Sequence, residues 1–366
     1  MNDYPSNVKE KLNFIISDMA NHHWLFTNRP GHDFMRQNHG KLSFYDTMRL
    51  IIGMGKGNTN DEIMDYFDLD PDRIPSQSAF NQRRSQISLS AFEYLFSEFS
   101  SAFPSTTNTF KDHCILACDG CHVVYTTNSE IIENFNKPHL IDYKGYNHMH
   151  LNSFVDVISK AFIDVVIQPG QKPDEHQALH IMLDHFQPDE PSKYIITADR
   201  GYESYDLLFH CELKHLSYVF RVKAPSSPKS ILSYYKNELP DEQDEFDVTI
   251  KRFLTDKKTN IMRSQSDVYR YMNPSKNIPH FQQLLNHKHL YFMQFRVIKM
   301  KVAKDSYEYI ITNLPYSFDL EDLKTCHRIL YNSRNSSVLK SSFGRLVYTT
   351  SVFPFGRTKL TIRKEM

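Results

Sequence analysis

The stretch Tyr194-Ile-Ile-Thr-Ala-Asp199-Arg200-Gly201-Tyr202-Glu203-Ser204 predicts a buried strand that ends in an acidic side chain. The apolar run before Asp199 is typical of a buried strand, and Gly201 favours a sharp turn after it. A carboxylate at the end of such a strand is costly to bury unless it is paired or binds a metal. Ligands also bind at the carboxyl ends of strands in open α/β sheets. A structural role, in which Asp199 caps the next helix or pairs with Arg200, is equally open from this stretch alone.

A second stretch, Ile115-Leu116-Ala117-Cys118-Asp119-Gly120, has the same order of an apolar strand, an Asp and a Gly. If the two strands are neighbours, Asp119 and Asp199 converge on one divalent cation. Mg²⁺ and Mn²⁺ prefer carboxylate oxygens and keep water or phosphate as their remaining ligands. The two stretches therefore predict a site for Mg²⁺ or Mn²⁺ held by Asp119 and Asp199.

These two runs resemble a bacterial insertion-sequence transposase of the DDE type, in the insertion-sequence-four family, with a ribonuclease H-like catalytic core. The run from Asp199 to Ser204 carries most of the specificity of the resemblance. Further support comes from three runs between and after the two acids: Lys144-Gly145-Tyr146-Asn147, Leu151-Asn152-Ser153-Phe154-Val155-Asp156 and Tyr218-Val-Phe-Arg221-Val-Lys223. The resemblance covers roughly residues 40 to 350.

The predicted fold class is α/β, a ribonuclease H-like mixed sheet flanked by helices, with an N-terminal helical domain and a β-rich insertion. Strands are expected near 114–119, 121–127, 154–159, 162–168, 193–199 and 217–223, and a helix near 173–186, where the acids after Pro173 suit a first helical turn. The predicted domains are a helical N-terminal region over 1–104, the first part of the core over 105–225, the β-rich insertion over 226–310, and the core-closing helix with a truncated C-terminal tail over 311–366.

The segment from residue 41 to residue 104 reads as short helices with clear start signals at Asn58 and Ser76. Two short helices with a turn, the second bearing Gln and Arg in its first turns, suit a helix-turn-helix. The resemblance implies a DNA-binding domain here, so Arg83 and Arg84 are predicted DNA contacts. An ordinary helical bundle with a solvated face is the alternative.

The reaction that the resemblance implies is metal-dependent DNA strand cleavage and strand transfer at transposon ends. Asp119 would bridge two metal ions and Asp199 would bind one of them, which makes both catalytic residues. Arg200 is a predicted phosphate contact because its guanidinium is a planar bidentate donor. The implied partners are double-stranded DNA, as terminal inverted repeats and target DNA, and a second copy of the chain on the paired ends.

The third acid of the resembled family is a Glu on the helix after the insertion, within a Tyr, two residues, Arg, three residues, Glu, six residues, Lys signature. This chain has Tyr331, Arg334, Val338 and Arg345 at those positions, and an alternative alignment places Lys340 at the acid. The basic and aromatic positions match and are predicted DNA contacts, whereas neither Val nor Lys can bind a hard cation.

No Asp or Glu occurs between Asp322 and Glu365, so this helix cannot supply the acid in any register. Glu321 and Asp322 lie about two turns or more upstream of Tyr331 and are poor substitutes. Two hypotheses follow. Either another acid replaces the missing Glu in an active enzyme, or the chain is a truncated, frameshifted or decayed transposase that still binds DNA.

Composition limits the other function classes. Lys and Arg total 43 and Asp and Glu total 43, so a DNA partner must be bound by local patches rather than by net charge. The chain has no apolar run of membrane-spanning length and no signal-peptide pattern, and its five Cys suit a reducing compartment, so a cytoplasmic, nucleoid-associated protein is expected. A zinc site at Cys118 and Cys121 is disfavoured because alternation along a strand separates their side chains.

Overall fold

The computed structural model describes residues 4–35, 41–55, 57–102, 109–125, 127–137, 145–274, 278–304 and 306–335. These residues fall into two compact units, one within Met1–Pro104 and the other within Ser105–Ser336. No helix in these ranges is both long and apolar enough to cross a bilayer.

The first unit is helical. Its helices are α1 (Tyr4–Asn21), α2 (Phe44–Gly53), α3 (Thr59–Tyr66), α4 (Gln77–Arg84) and α5 (Leu89–Ser101). The predicted start signals are confirmed, because the side chain of Asn58 accepts from the Asp61 amide and that of Ser76 accepts from the Ala79 amide. The apolar faces of these helices form one buried core.

The second unit is built on one large sheet. In the described residues its strands are β1 (Cys114–Tyr125), β2 (Phe135–Asn136), β3 (Tyr146–Asp156), β4 (Phe162–Pro169), β5 (Tyr194–Ala198), β6 (Ser217–Val222), β7 (Phe246–Thr255), β8 (Tyr269–Tyr271), β9 (Leu290–Ala303) and β10 (Ser306–Thr312). Its helices are α6 (Glu175–His185), α7 (Tyr205–Leu213), α8 (Asn260–Ser264), α9 (Pro279–Leu284) and α10 (Leu320–Asn335).

The strand order confirms the predicted fold class. The path runs β2-β3-β1-β5-β6-β10-β9-β7-β8, and β4 pairs with β3. Strands β1, β3 and β4 are antiparallel neighbours, whereas β1, β5 and β6 are parallel, which is the mixed sheet of a ribonuclease H-like core. The strands between residues 226 and 310 continue this sheet, since β9 reaches the core through β10, which pairs with β6.

Helices cover both faces of the sheet. Along β1, Leu116 and Cys118 belong to the core that also contains residues of α6 and α7. Ile115 and Ala117 point the other way and belong to the core that contains Leu323 of α10. Because both faces are buried, the central strands read as continuous apolar runs rather than as alternating ones.

Two strand predictions were wrong. The segments 114–119 and 121–127, expected as separate strands, form the single strand β1, because β3 pairs with β1 residue by residue past Gly120, which lies opposite Asn152. Strand β3 also begins at Tyr146 rather than near residue 154. Its first half carries polar side chains that are nevertheless buried, and a search for apolar runs passes over such a strand.

Arg296 on β9 joins the sheet to the segment that leads into α10. The side chain is almost fully buried, at 3% exposure. Its guanidinium pairs with Asp247 on β7, and its Nη1 donates to the carbonyl oxygens of Leu314, Pro315 and Phe318 at 3.2, 2.8 and 2.9 Å. One charged group therefore satisfies three carbonyls that the turn before α10 would otherwise bury.

Replacing Arg296 with Met should destabilise the second unit by about 3 to 5 kcal/mol, because it leaves Asp247 and three carbonyl groups without their buried partner. Urea unfolding measures the loss. Lys304→Met is the control, since Lys304 is exposed, and should change the free energy of unfolding by less than about 0.5 kcal/mol. Equal stability of the two variants would contradict this role for Arg296.

Candidate metal centre

Asp119 and Asp199 occupy neighbouring positions on adjacent strands. The parallel pairing of β1 with β5 aligns Cys114 with Tyr194 and ends with Cys118 opposite Ala198, so the two acids are the next residues in register. Neighbouring strands lie about 4.8 Å apart. Alternation places both side chains on the face covered by α10. The two acids of the quoted stretches therefore lie side by side.

Both carboxylates accept local backbone hydrogen bonds. The Gly120 amide donates to Oδ1 of Asp119 at 3.0 Å, and the Arg200 amide donates to Oδ1 of Asp199. Asp199 also caps a short 3₁₀ turn over Arg200–Tyr202, so the structural role left open by the sequence is present. It occurs together with partial exposure of the carboxylate, which is 22% exposed.

Arg221 on β6 is the cation next to this pair. Its Nη1 lies 3.3 Å from Oδ1 of Asp199, and its other terminal nitrogen pairs with Glu308 on β10. Glu308 is three strands away from Asp119 across β5 and β6, about 14 Å at the usual spacing. Glu308 therefore cannot share a metal ion with Asp119.

Glu175, the first residue of α6, brings a third carboxylate to the glycines that follow the two acids. A Cβ placed on Gly120 would lie 2.8 Å from its Oε1, and one on Gly201 would lie 3.4 Å from its Oε2. His150 Nε2 lies 3.2 Å from the same Oε1. Only a residue without a side chain at position 120 allows this approach. Gly120 faces the α6 side of the sheet, so Glu175 reaches the main chain beside Asp119 from the face opposite to the Asp119 side chain, next to the end of β5 at Ala198.

Two of these carboxylates act on the hydroxyl of Tyr202. Its side chain is buried, and burial together with the neighbouring Cys118 raises the pKa of its hydroxyl well above the usual value. The charges of Glu175 and Asp119 both raise it further. One buried hydroxyl therefore lies within electrostatic range of acids from α6 and from β1.

Sequence reasoning missed Glu175. The sequence Pro173-Asp174-Glu175 was interpreted only as acids in the first turn of a helix, and Asp174 is indeed the capping residue of α6. The signal in the sequence that points to Glu175 is the pair of glycines after the two acids. Local pattern cannot identify the helix that approaches these glycines.

Glu203, four residues after Asp199, accepts hydrogen bonds from the backbone instead of adding a carboxylate to the site. Its side chain is 1% exposed, and its two oxygens accept from the amides of Lys223 and Ile231. This contact fixes the chain after β6 and fully occupies the carboxylate.

Glu321 and Asp322 lie at the wrong end of the sheet to replace a missing acid. Asp322 pairs with Lys111, which precedes the start of β1, and Glu321 pairs with Lys324 at 2.9 Å. Asp119 lies five residues into β1, about 17 Å along the strand from Cys114. Both acids are therefore structural residues at the start of α10.

The side chains of the two predicted DNA contacts in the first unit partly pack against other side chains of that unit. Residues 67–76 separate α3 from α4, longer than the short turn of a helix-turn-helix. Arg83 and Arg84 lie in the last turn of α4 rather than in its first turns, and their guanidinium groups lie over the rings of Phe34 and Phe80 at 4.8 and 5.5 Å. Burial lowers the pKa of Arg84. Their role at DNA stays a prediction.

The other predicted DNA contacts lie either beside the candidate metal centre or in the last part of the sequence. Arg200 is exposed directly beside Asp199. Tyr331 and Arg334 fall within α10. Val338, Lys340 and Arg345 lie outside the described residues. Cys118 is buried on the α6 face of β1, and Cys121, an odd number of residues away, faces the other side.

Comparison with known protein families identifies the second unit. Residues 111–328, more than half of the chain, match the model of the transposase DDE domain. The chain belongs to this transposase family. Members of the family use divalent metal ions, which suits a site built from carboxylates. No curated protein gives a match.

One solved structure with a similar arrangement is the piggyBac transposase synaptic complex with hairpin DNA, determined by cryo-EM. The two chains share 9% sequence identity at a TM-score of 0.42, and the similarity covers 84% of this transposase chain. This chain spans only 61% of the length of that protein.

Gly120→Ala should destabilise the protein by about 1 to 3 kcal/mol, because the new Cβ would lie 2.5 Å from His150 Nε2 and 2.8 Å from Glu175 Oε1. Thermal or urea unfolding measures the change. Gly53→Ala at the end of α2 is the control, since no atom lies within 4 Å of its Cβ position. If both variants are as stable as the wild type, the close approach of Glu175 to Gly120 is wrong.

Proposed function

We propose that this chain is a transposase of the insertion-sequence-four type, which cleaves DNA strands at transposon ends and joins them to target DNA. The single observation that carries the proposal is the register of β1 and β5, which aligns Asp119 with Asp199. The substrates are double-stranded DNA with terminal inverted repeats, and a homodimer holds the paired ends.

The proposed metal ligands are Asp119, Asp199 and Glu175. Carboxylate oxygens are the donors that Mg²⁺ and Mn²⁺ select, so this donor set fits the family's use of a divalent ion. Two acids on neighbouring strands and a third at their glycines concentrate negative charge, which a bound cation relieves. Glu175 thereby takes the part of the acid that Val338 or Lys340 cannot supply.

The bound ions would activate water or a 3′-hydroxyl and stabilise the leaving oxygen of the cleaved phosphodiester. The chain's own residues position the reactants. His150 Nε2 lies 3.2 Å from Oε1 of Glu175, beside the proposed ligand. Arg200 is exposed beside Asp199, where its planar guanidinium can bind a phosphate of the scissile strand.

DNA outside the scissile bond is assigned to the remaining parts of the chain. We assign the helical region 1–104 to recognition of the transposon end, through Arg83 and Arg84. We assign the other contacts with DNA to the rest of the chain. These parts are the core over 105–225, its β-rich continuation over 226–310, and the segment 311–366 with Tyr331, Arg334 and Arg345. Most contacts of the positively charged side chains would be with DNA phosphates, so the affinity for DNA should fall steeply as the salt concentration rises.

A catalytically inactive protein that still binds DNA is the second candidate. It is favoured by one observation, the lack of any acid between Asp322 and Glu365, where the family places its third acid. Under this alternative, Glu175 is a structural residue paired with His150, and Asp119 with Asp199 holds a cation too weakly to support cleavage.

Nicking of DNA that carries the transposon ends, in Mg²⁺ or Mn²⁺, tests the proposal. Asp119→Asn, Asp199→Asn and Glu175→Gln should each reduce cleavage by about a thousandfold or more, since loss of a metal ligand removes several kcal/mol of transition-state stabilisation. Glu321→Gln is the matched control and should cleave normally. Binding of Mn²⁺, followed by electron paramagnetic resonance, should weaken in the same three variants and not in the control.

The outcomes separate the two candidates. End-specific binding without nicking in either metal would contradict the proposal and support the inactive protein. Nicking that Glu175→Gln leaves intact but Glu321→Gln abolishes would keep a transposase and refute the assignment of its third ligand.

A further inference from the structure

Three histidines from three helices converge on the α6 face of the sheet. They are His180 of α6, His210 of α7 and His280 of α9, and one ring nitrogen of each lies within 4.8 Å of the others. His210 is buried and the other two are partly buried. His180 lies five residues beyond Glu175, about 7.5 Å farther along α6, so the cluster is separate from the candidate metal centre.

In each of the three imidazoles, one ring nitrogen lies close to a carboxylate oxygen. Asp206 lies 2.8 Å from Nδ1 of His280 and 3.4 Å from Nε2 of His180. Asp184 lies 3.1 Å from Nε2 of His210. A carboxylate that accepts from one nitrogen fixes the tautomer and leaves the lone pair on the other. The hydrogen bond from Nδ1 of His280 to Asp206 leaves Nε2 of that ring as its ligand nitrogen.

The available nitrogens of His180 and His210 face each other. Their Nδ1 atoms are 2.9 Å apart. Two ring nitrogens at that distance share a hydrogen bond when one of them carries its ring proton, and a metal ion that replaces this proton can bind both nitrogens.

We propose that His180, His210 and His280 bind one transition-metal dication, with zinc as the preferred ion, and that Asp206 and Asp184 orient the imidazoles. Three neutral imidazole nitrogens suit Zn²⁺, with water as the fourth ligand, and carboxylates behind ligating histidines are a recurrent arrangement around zinc. The ring of His280 stacks on the other two with centroid distances of 4.5 and 4.0 Å, so the rings must shift for its Nε2 to reach a shared ion, while Nδ1 keeps its hydrogen bond to Asp206.

The ion would act as a structural clamp. Helices α6 and α7 belong to the core before residue 225, whereas α9 belongs to the β-rich continuation of the sheet. Asp206 already joins α7 to α9, because its Oδ1 accepts from the His280 backbone amide at 3.1 Å. A metal bound to one histidine from each helix would hold these segments together independently of any DNA chemistry.

Metal analysis of the full chain tests the proposal in a background with Asp119→Asn, Asp199→Asn and Glu175→Gln, which removes the proposed catalytic ligands. Protein stripped by a chelator and reloaded should take up roughly one equivalent of Zn²⁺ and gain several degrees in melting temperature. His210→Gln should lose both responses. His185→Gln on α6 is the control, because His185 is 64% exposed and pairs with Asp164 outside the cluster, and it should keep both.

A second variant keeps the test decisive if His210→Gln does not fold. Asp206→Asn should weaken zinc affinity by about 10- to 100-fold, since it removes the carboxylate that orients two ligands. Cobalt bound to the otherwise unaltered cluster should also show the intense absorption of a tetrahedral site. A stripped protein that gains no stability from zinc, or cobalt that keeps the pale spectrum of the hydrated ion, would overturn the proposal.

Discussion

The parallel pairing of β1 with β5 is the constraint on which the site depends. Strand β1 is held on its other side by antiparallel pairing with β3, so its register is fixed from both edges. A shift of one residue would turn Asp119 towards the α6 core and bury its charge among apolar side chains, at a cost of several kcal/mol. The same hydrogen bonds that build the core therefore determine where the two carboxylates lie.

The parts of the fold that follow local pattern were predictable. Apolar runs located β4, β5, β6 and the start of β1 within a few residues. Capping residues located the starts of α3 and α4, and Pro173 with the acids after it located α6. Two predicted strands each end in an Asp that is followed by a Gly within two residues. Together with the family resemblance based on these stretches, they indicated a transposase core and the closeness of Asp119 to Asp199. Alternation and capping are local effects, so a single sequence contains enough information to recover them.

Contacts between distant segments were not predictable. Gly120 separated two predicted strands, whereas pairing with β3 holds it within one extended strand, and its missing side chain leaves room for Glu175. Glu321 and Asp322 were considered as substitutes for the third acid because of their position in the sequence, yet they face Lys324 and Lys111 instead. The histidine cluster shows the same limit, because its members lie 30 and 70 residues apart and share no local motif.

The central claim is that Asp119, Asp199 and Glu175 surround one metal position. Iron(II) substituted at that position, with ascorbate and peroxide, cleaves the backbone nearest to the bound ion, and mass spectrometry locates the cuts. We expect cuts in the full chain near Asp119–Gly120, Asp199–Gly201 and Glu175, suppressed by excess Mg²⁺. Cuts near Glu321–Asp322 and none near Glu175 would contradict the account.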